Sequence, residues 1–374
     1  MSLFEPAEGD PRPRPSRRAR TGWTVLIVGL VLGLVMSFLP APYVIEQPGP
    51  VFDTLGTQQH DGEDVPLISI EGAETYPTAG TLDMLTVSVR GTREQRPSWA
   101  EILTSWFDSS RAVLPIDAVY PPTVTTEQRN QENAALMVDS QQEAIAAALG
   151  HLDIAYQTQV DVAAVDPDGP SAGVLTAGDV IVSVNGVSAD DLEGLRAALA
   201  ANGTDAAASV LVRHDDGTEE TLSIVPVVSE QTGAPAIGIS VGYDYTFPFD
   251  VEIKLDDVGG PSAGMMFALG IIDRLTPGEL NGGQNVAGTG TIDAQGNVGR
   301  IGGIRQKMFG ARDAGATWFL APAGNCDEVV GHVPDGIQVF AVSTLDDSIA
   351  VLDTISSGGD TQALPTCDSV LAGS

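Results

Sequence analysis

Lysine is almost absent from this chain: Lys254 and Lys307 are the only two, and the other cationic side chains are arginines. Positive charge is scarce altogether, 18 Lys and Arg against 50 Asp and Glu, for a formal net charge of −32. Five arginines and three acids fall in residues 1 to 22, so the acidity belongs to the rest. Such a surface is repelled by phosphate backbones and anionic headgroups, which excludes nucleic acid as a partner. The same bias suits a GC-rich or salt-adapted source. Cysteine is limited to Cys326 and Cys367. Metal binding would need further ligands nearby, and no metal or cofactor is expected. In an oxidising compartment a disulfide tying the C-terminal tail to its domain is the simplest account, with two unrelated buried thiols as the alternative. His60, His151, His214 and His332 are the only histidines, and none lies in the stretches singled out below, so a Ser-His-Asp triad has no support. No G-x-x-x-x-G-K-[ST] string occurs, and with it goes an ATPase motor.

What is present centres on Gly259, Gly260, Pro261, Ser262, Ala263 and Gly264. A β-rich run (Val251, Ile253, Leu255) enters this stretch and a helical run (Met265, Met266, Ala268, Leu269, Ile272) leaves it, so Ser262 is predicted at a strand-to-helix turn. There the unpaired N–H groups of a first helical turn favour developing negative charge. Backbone N–H groups around Gly260 to Ala263 are the expected oxyanion donors. Lys307 is the expected base. Arginine cannot release its proton in a protein, whereas a lysine in an apolar pocket can have its pKa lowered enough to accept one. The bland alternatives are a helix N-cap for Ser262 and a surface position for Lys307. Lys254, on the strand entering the turn, is a second candidate base.

Gly260 to Gly264, Gly288-Thr289-Gly290 and Gly302-Gly303-Ile304-Arg305-Gln306-Lys307 together resemble the signature blocks of the Lon-type (S16) serine peptidase domain. The resemblance implies Ser262 as nucleophile, Lys307 as base and Thr289 as a hydroxyl supporting the lysine. Thr291 stands where the family usually has an acid. The run Met137 to Ala144 resembles the family's first helix. Gly173-Val174-Leu175, Gly178-Asp179-Val180-Ile181 and Val184-Asn185-Gly186 are similar to the core of bacterial PDZ domains. The whole is similar to a membrane-anchored PDZ-Lon protein, and the implied fold class is mixed α/β (α+β): a Lon-type peptidase domain with a PDZ domain inserted in it, after one transmembrane helix. The family's domain forms rings, so a homo-oligomer is compatible with the resemblance.

In chain order, residues 1–20 read as a disordered cytoplasmic tail and 21–44 as the anchor. The stretch Trp23 to Leu39 carries no charge, and the arginines before it place that side in the cytoplasm. A cleaved signal peptide is the competing reading. Residues 45–149 are expected to form an extracytoplasmic connector, extended from Tyr43 to Gly56, and then the first part of the peptidase domain. Trp99 to Phe107 has helical spacing and an aromatic face that reads as core, or else lies at a membrane surface. Residues 150–228 are the PDZ domain, 229–356 the peptidase domain with the dyad, and 357–374 a polar tail. PDZ domains bind peptide by adding a strand to a sheet edge. The expected groove lies between the strand Val160 to Val165 and the helix Asp190 to Ala201, with Gln159, Val160, Asp161 and Val162 as peptide-binding residues. Gln157-Thr158-Gln159-Val160 replaces the usual carboxylate-gripping loop, which favours internal segments. Gly169-Pro170-Ser171-Ala172-Gly173 repeats the nucleophile string, but no long helix follows and no lysine lies in that domain. Ser171 is therefore read as a turn residue. The expected function is a membrane-anchored, ATP-independent serine endopeptidase acting on exposed or unfolded polypeptide, its bulk outside a single-pass helix. The alternative is an inactive, tethered peptide-binding scaffold.

Overall fold

The computed structural model describes residues 17–373, except positions 61, 123, 190, 215, 230, 256 and 257 and the side chains of residues 19, 20 and 60. Most of the tail expected over residues 1–20 lies outside the described residues, but Arg17 already belongs to helix α1 (Arg17–Ser37). Trp23, Val25, Leu26, Ile27 and Val28 are consecutive or nearly so, and all are at least half exposed, so this helix offers apolar side chains on every side. Among the described residues no helix is long and apolar enough to cross a membrane.

The chain then enters strand β1 (Tyr43–Asp53) and continues through β2 (Ile68–Glu71), β3 (Thr81–Arg90), helix α2 (Trp99–Ser105) and β4 (Ala112–Pro115). The segment expected as an extended connector is thus a strand inside the main sheet. Its Pro48, Gly49 and Pro50, which read as turn signals, mark a register shift against β3 between Pro48 and Val51. Helix α3 (Thr126–His151) follows, opened by a capping box of Thr125 and Gln128. Its second half, Ala144 to Leu149, is fully buried.

From α3 the chain passes into a separate sheet formed by β5 (Gln157–Val165), β6 (Val180–Val184), β7 (Ala208–Arg213) and β8 (Glu219–Ile224), with helix α4 (Leu192–Asn202) packed on it. Its core is Val160, Val162, Ile181, Val184, Leu195, Leu199, Val210 and Val212. Strand β9 (Ile239–Thr246), expected to rejoin the peptidase domain, instead completes this sheet, whose order is β8-β7-β6-β5-β9. Only with β10 (Asp250–Ile253), paired antiparallel to β2, does the chain return.

The remainder builds the C-terminal part: helix α5 (Gly264–Leu275), β11 (Asn285–Gly288), helix α6 (Ile304–Asp313), β14 (Trp318–Pro322), β15 (Gln338–Val342), helix α7 (Leu345–Ser356) and helix α8 (Cys367–Gly373), with a short hairpin, β12 (Thr291–Ile292) and β13 (Val298–Gly299), after β11. The alternating residues Val286 to Ile292 are therefore divided between the main sheet, which β11 joins, and the hairpin. That sheet has the order β15-β14-β11-β3-β1-β4, parallel from β15 through β11 to β3 and antiparallel beyond. Helix α5 is buried from Gly264 to Asp273 in the larger core, with α3 and α7 against it. Helix α6 lies over the opposite core with Phe319, Val339 and the Cys326–Cys367 disulfide, whose Cα atoms are 4.8 Å apart. The expected loose tail is ordered by that bond, by the α8 helix and by the Ala341 N–H donated to the Pro365 carbonyl.

Candidate active site

The turn between β10 and α5 is held by α3 from below. Gly260 has φ +87°, the left-handed region that favours glycine, and its N–H donates to the Asn133 carbonyl at 2.9 Å. A Cβ on Gly259 would stand 2.8 Å from the Asn133 Cβ, so the turn closes onto α3 only with glycine there. About two turns further along α3, the Ser140 hydroxyl donates to the Pro261 carbonyl at 3.0 Å. These contacts set the backbone of the next residue, Ser262.

The lysine arrives from α6. Gly303 caps that helix in the left-handed region, φ +68°, and a side chain there would meet Val87 at 2.6 Å. Lys307, one turn on, is 2 % exposed. Its Nζ lies 2.8 Å from Ser262 Oγ and 2.9 Å from Thr289 Oγ1. The Thr289 hydroxyl donates in turn to the Ser262 carbonyl at 2.9 Å, and the Gly290 N–H donates to the same oxygen at 3.0 Å. Burial lowers the Lys307 pKa from its ordinary 10.5 to about 7, and no carboxylate contributes to the shift. A substantial neutral fraction at neutral pH follows. The hydroxyl of Ser262 can then give its proton to the amine.

Three sequence-derived candidates fall together here: Ser262, Lys307 and Thr289. Gly260 does not supply an oxyanion donor, because its N–H is committed to Asn133. The N–H groups of Ser262 and Ala263 make no hydrogen bond within the described chain and are the free donors at the head of α5. Lys254 pairs with Glu252 at 3.1 Å on the outer strand and does not line the cleft. Ser171 is fully buried, its hydroxyl donating to the Ile237 carbonyl at 2.6 Å, where it braces the turn into β9. His151 and His214 pair with Asp346 and Asp179, away from the cleft.

The cleft over Ser262 has a volume of about 500 Å³ and is walled by Pro50, Met84 to Ser88, Met137 and Gly302. Strand β11 pairs with β3 only from Thr81 to Met84, so from Leu85 to Ser88 that edge of β3 is open beside the nucleophile. Pro50, Leu85 to Ser88, Asn133 and Ser140 were not among the sequence-derived site residues. The alternation over Leu82 to Val89 signals a strand, but nothing in it signals which edge stays unpaired.

The expected PDZ groove is corrected by the sheet itself. Gln159, Val160, Asp161 and Val162 lie on β5, which pairs with β9 along its length and with β6 at Val160 and Asp161. Val160 and Val162 are fully buried. An interior strand has no edge to offer. The sheet's open edge beside β5 is β9, whose Tyr243 packs on the same core as Leu192, the first residue of α4.

Residues 256–354 match the Lon protease (S16) C-terminal proteolytic domain, and residues 128–225 match the PDZ domain family. The chain carries a Lon-type serine endopeptidase domain and a PDZ domain. The PDZ match begins within α3, although that helix packs its second half into the peptidase core, and it stops before β9. The chain is 38% identical over 109 residues to Lon protease 2 of Herpetosiphon aurantiacus, 27% of this chain and 13% of that protein. It is 35% identical over 94 residues to Lon protease 1 of Sorangium cellulosum, covering 24% and 11%, and 33% identical over 123 residues to Lon protease 2 of Bacillus subtilis, covering 33% and 21%. The chain thus spans a small part of the length of the curated relatives it matches. Among solved structures, the PDZ domain of an SdrC-like protein from Listeria monocytogenes is 26% identical, covering 22% of this chain and 85% of that one, with a TM-score of 0.21.

Proposed function

We propose that this protein is a membrane-tethered, ATP-independent endopeptidase whose PDZ domain captures exposed or unfolded polypeptide and whose Ser262 and Lys307 hydrolyse it. The observation that carries the reading is the 2.8 Å approach of Ser262 Oγ to a lysine amine that is almost wholly buried. Ser262 attacks the scissile carbonyl while neutral Lys307 takes its proton, and Lys307 then delivers that proton to the leaving amine. Thr289 holds the amine in line. The N–H groups of Ser262 and Ala263 bind the oxyanion, where losing one such donor typically costs about 100-fold or more in rate. Extended substrate pairs with the open edge of β3 at Leu85 to Ser88 as it crosses the cleft. A client segment adds to β9 beside α4, in the strand-addition mode of peptide recognition.

ATP-independence rests on the missing P-loop string, and it confines substrates to segments already unfolded. Helix α1 by itself is not long and apolar enough to cross, so the tether is the uncharged run Trp23 to Leu39, at the short end of a span, with the arginines on its N-terminal side in the cytoplasm and the folded domains outside. Its support is the uncharged stretch in the sequence and the exposure of apolar side chains on every side of α1. Protease protection in spheroplasts checks it: external protease should reach epitopes after residue 45 without lysis. The catalytic reading is tested on full-length protein in mild detergent with an unfolded substrate. Ser262→Ala and Lys307→Met should each cost on the order of 1,000-fold or more in kcat. Cleavage that survives either substitution rules the dyad out. A wild type that cleaves nothing but still binds peptide would be a scaffold.

A further inference from the structure

At the exit of α1 stands a ridge of large apolar side chains facing solvent: Phe38 at 72 % exposure, Leu103 at 46 %, Trp106 at 57 % and Phe107 at 89 %. Isolated exposed apolar residues are ordinary, but a contiguous aromatic group marks a contact surface. Its position is fixed by main-chain bonds. The Trp99 N–H donates to the Leu39 carbonyl, the Ala41 N–H donates to the Pro97 carbonyl, and Pro40 bridges Ser98. Helix α2 is two-faced. Ile102 is buried against Ala41 and Ile45, and the Trp99 ring meets Tyr43 edge-on at 5.8 Å, while Leu103 and the turn Trp106-Phe107 point away. The surrounding segment is locally neutral in an otherwise acidic chain: Arg90, Arg93 and Arg111 pair with Glu101, Asp117 and Asp108.

We propose that this ridge lies in the headgroup region of the bilayer that receives α1, and so fixes the orientation of the peptidase domain against the membrane. The inference rests on the tether reading above. Continuity with α1 identifies the occupant, because bonds at Leu39 and Ala41 leave the ridge no freedom to move away from the point where the chain leaves the apolar helix. Aromatic side chains with one apolar and one wet side suit that interface. A consequence concerns substrate. Strand β1 runs extended from Tyr43, packed under α2, to Pro50 in the cleft wall, so at ~3.3 Å per residue that wall lies about 23 Å along the strand from the helix that carries the ridge. The class of substrate this favours is the membrane-proximal segment of a polypeptide that is itself anchored.

The test uses the full chain in vesicles of phosphatidylcholine and phosphatidylglycerol, with and without lipids brominated just below the headgroup. Flotation with the vesicles reports the tether. The fluorescence difference between wild type and Trp106→Phe reports the ridge, and bromine should quench that difference about two-fold or more. If the chain floats and the difference spectrum ignores bromine, the ridge proposal fails and the tether stands; if the chain does not float, both fail. In a second arm, Trp106→Asp with Phe107→Asp should lower cleavage of a vesicle-anchored polypeptide about ten-fold while leaving cleavage of a soluble unfolded one unchanged. Equal effects on the two substrates would overturn the orienting role. Dimers split by the same pair of substitutions, without quenching, would assign the ridge to a second copy instead.

Discussion

At Lys307 the cost of burial and the chemistry are the same fact. Its pKa falls to about 7 because the ammonium form is desolvated, so kcat/KM on a short peptide should rise with pH through about 7 and level off above it, governed by one deprotonation. A profile flat from pH 5 to 9 would mean that Lys307 is not the base. Stability carries the same signature. In the unfolded chain the amine keeps its ordinary 10.5, so between about 7 and 10.5 the unfolded state binds more protons and the native state gains stability as pH rises. Lys307→Met should abolish that slope and raise stability at neutral pH by about 1 kcal/mol or more, read by urea midpoints, while destroying activity. Gly260→Ala should also cost activity: nothing crowds the added methyl, but the left-handed backbone costs an L-residue about 1–2 kcal/mol and tilts the Ser262 turn. Ser262, Lys307 and Thr289 were legible because their chemistry demands particular residue types inside glycine-marked strings. Asn133 and Ser140 were not, since a backbone carbonyl can come from any residue and a helical serine carries no sign of which carbonyl it meets.

Elements were legible where periodicity was undisturbed. Helices α3, α5 and α6 and strands β3, β14 and β15 follow from apolar spacing and caps. Strand β1 was missed because Pro48-Gly49-Pro50 has the composition of a linker, although the bulge it makes is what puts Pro50 in the cleft wall. Strand β9 was placed in the wrong sheet because edge pairing between distant segments leaves no local trace. The alternation of Ile239, Val241, Tyr243 and Tyr245 marks a strand but not the sheet it joins. If clients add to β9, Tyr243→Ala should raise KM for an unfolded protein about five-fold and leave cleavage of a short peptide unchanged. An equal loss on both substrates would make Tyr243 a structural residue only.

For the molecule as a whole, the nesting of one domain within another was legible because the run Met137 to Ala144, which resembles the peptidase family's first helix, precedes the PDZ-like stretches while the Ser262 string follows them. The closure of the C-terminal segment was visible only as an open pairing of two cysteines. The bond between them spans 41 residues, which in the chain-entropy account is worth about 3–4 kcal/mol. Cys367→Ser should therefore lower the urea midpoint substantially yet leave kcat at 25 °C near wild type, because neither cysteine lines the cleft. A matching loss of kcat would couple that core to the dyad.

The strand swapped between sequence neighbourhoods also decides how this protein can be taken apart. Cutting at residue 228 would strip β9 from the inner sheet and lay open the length of β5, so the fragment would precipitate or borrow an edge from another copy. A soluble recombinant binding module would have to run on to Thr246, and a peptidase with that module deleted would need a splice from the end of α3 to Phe247.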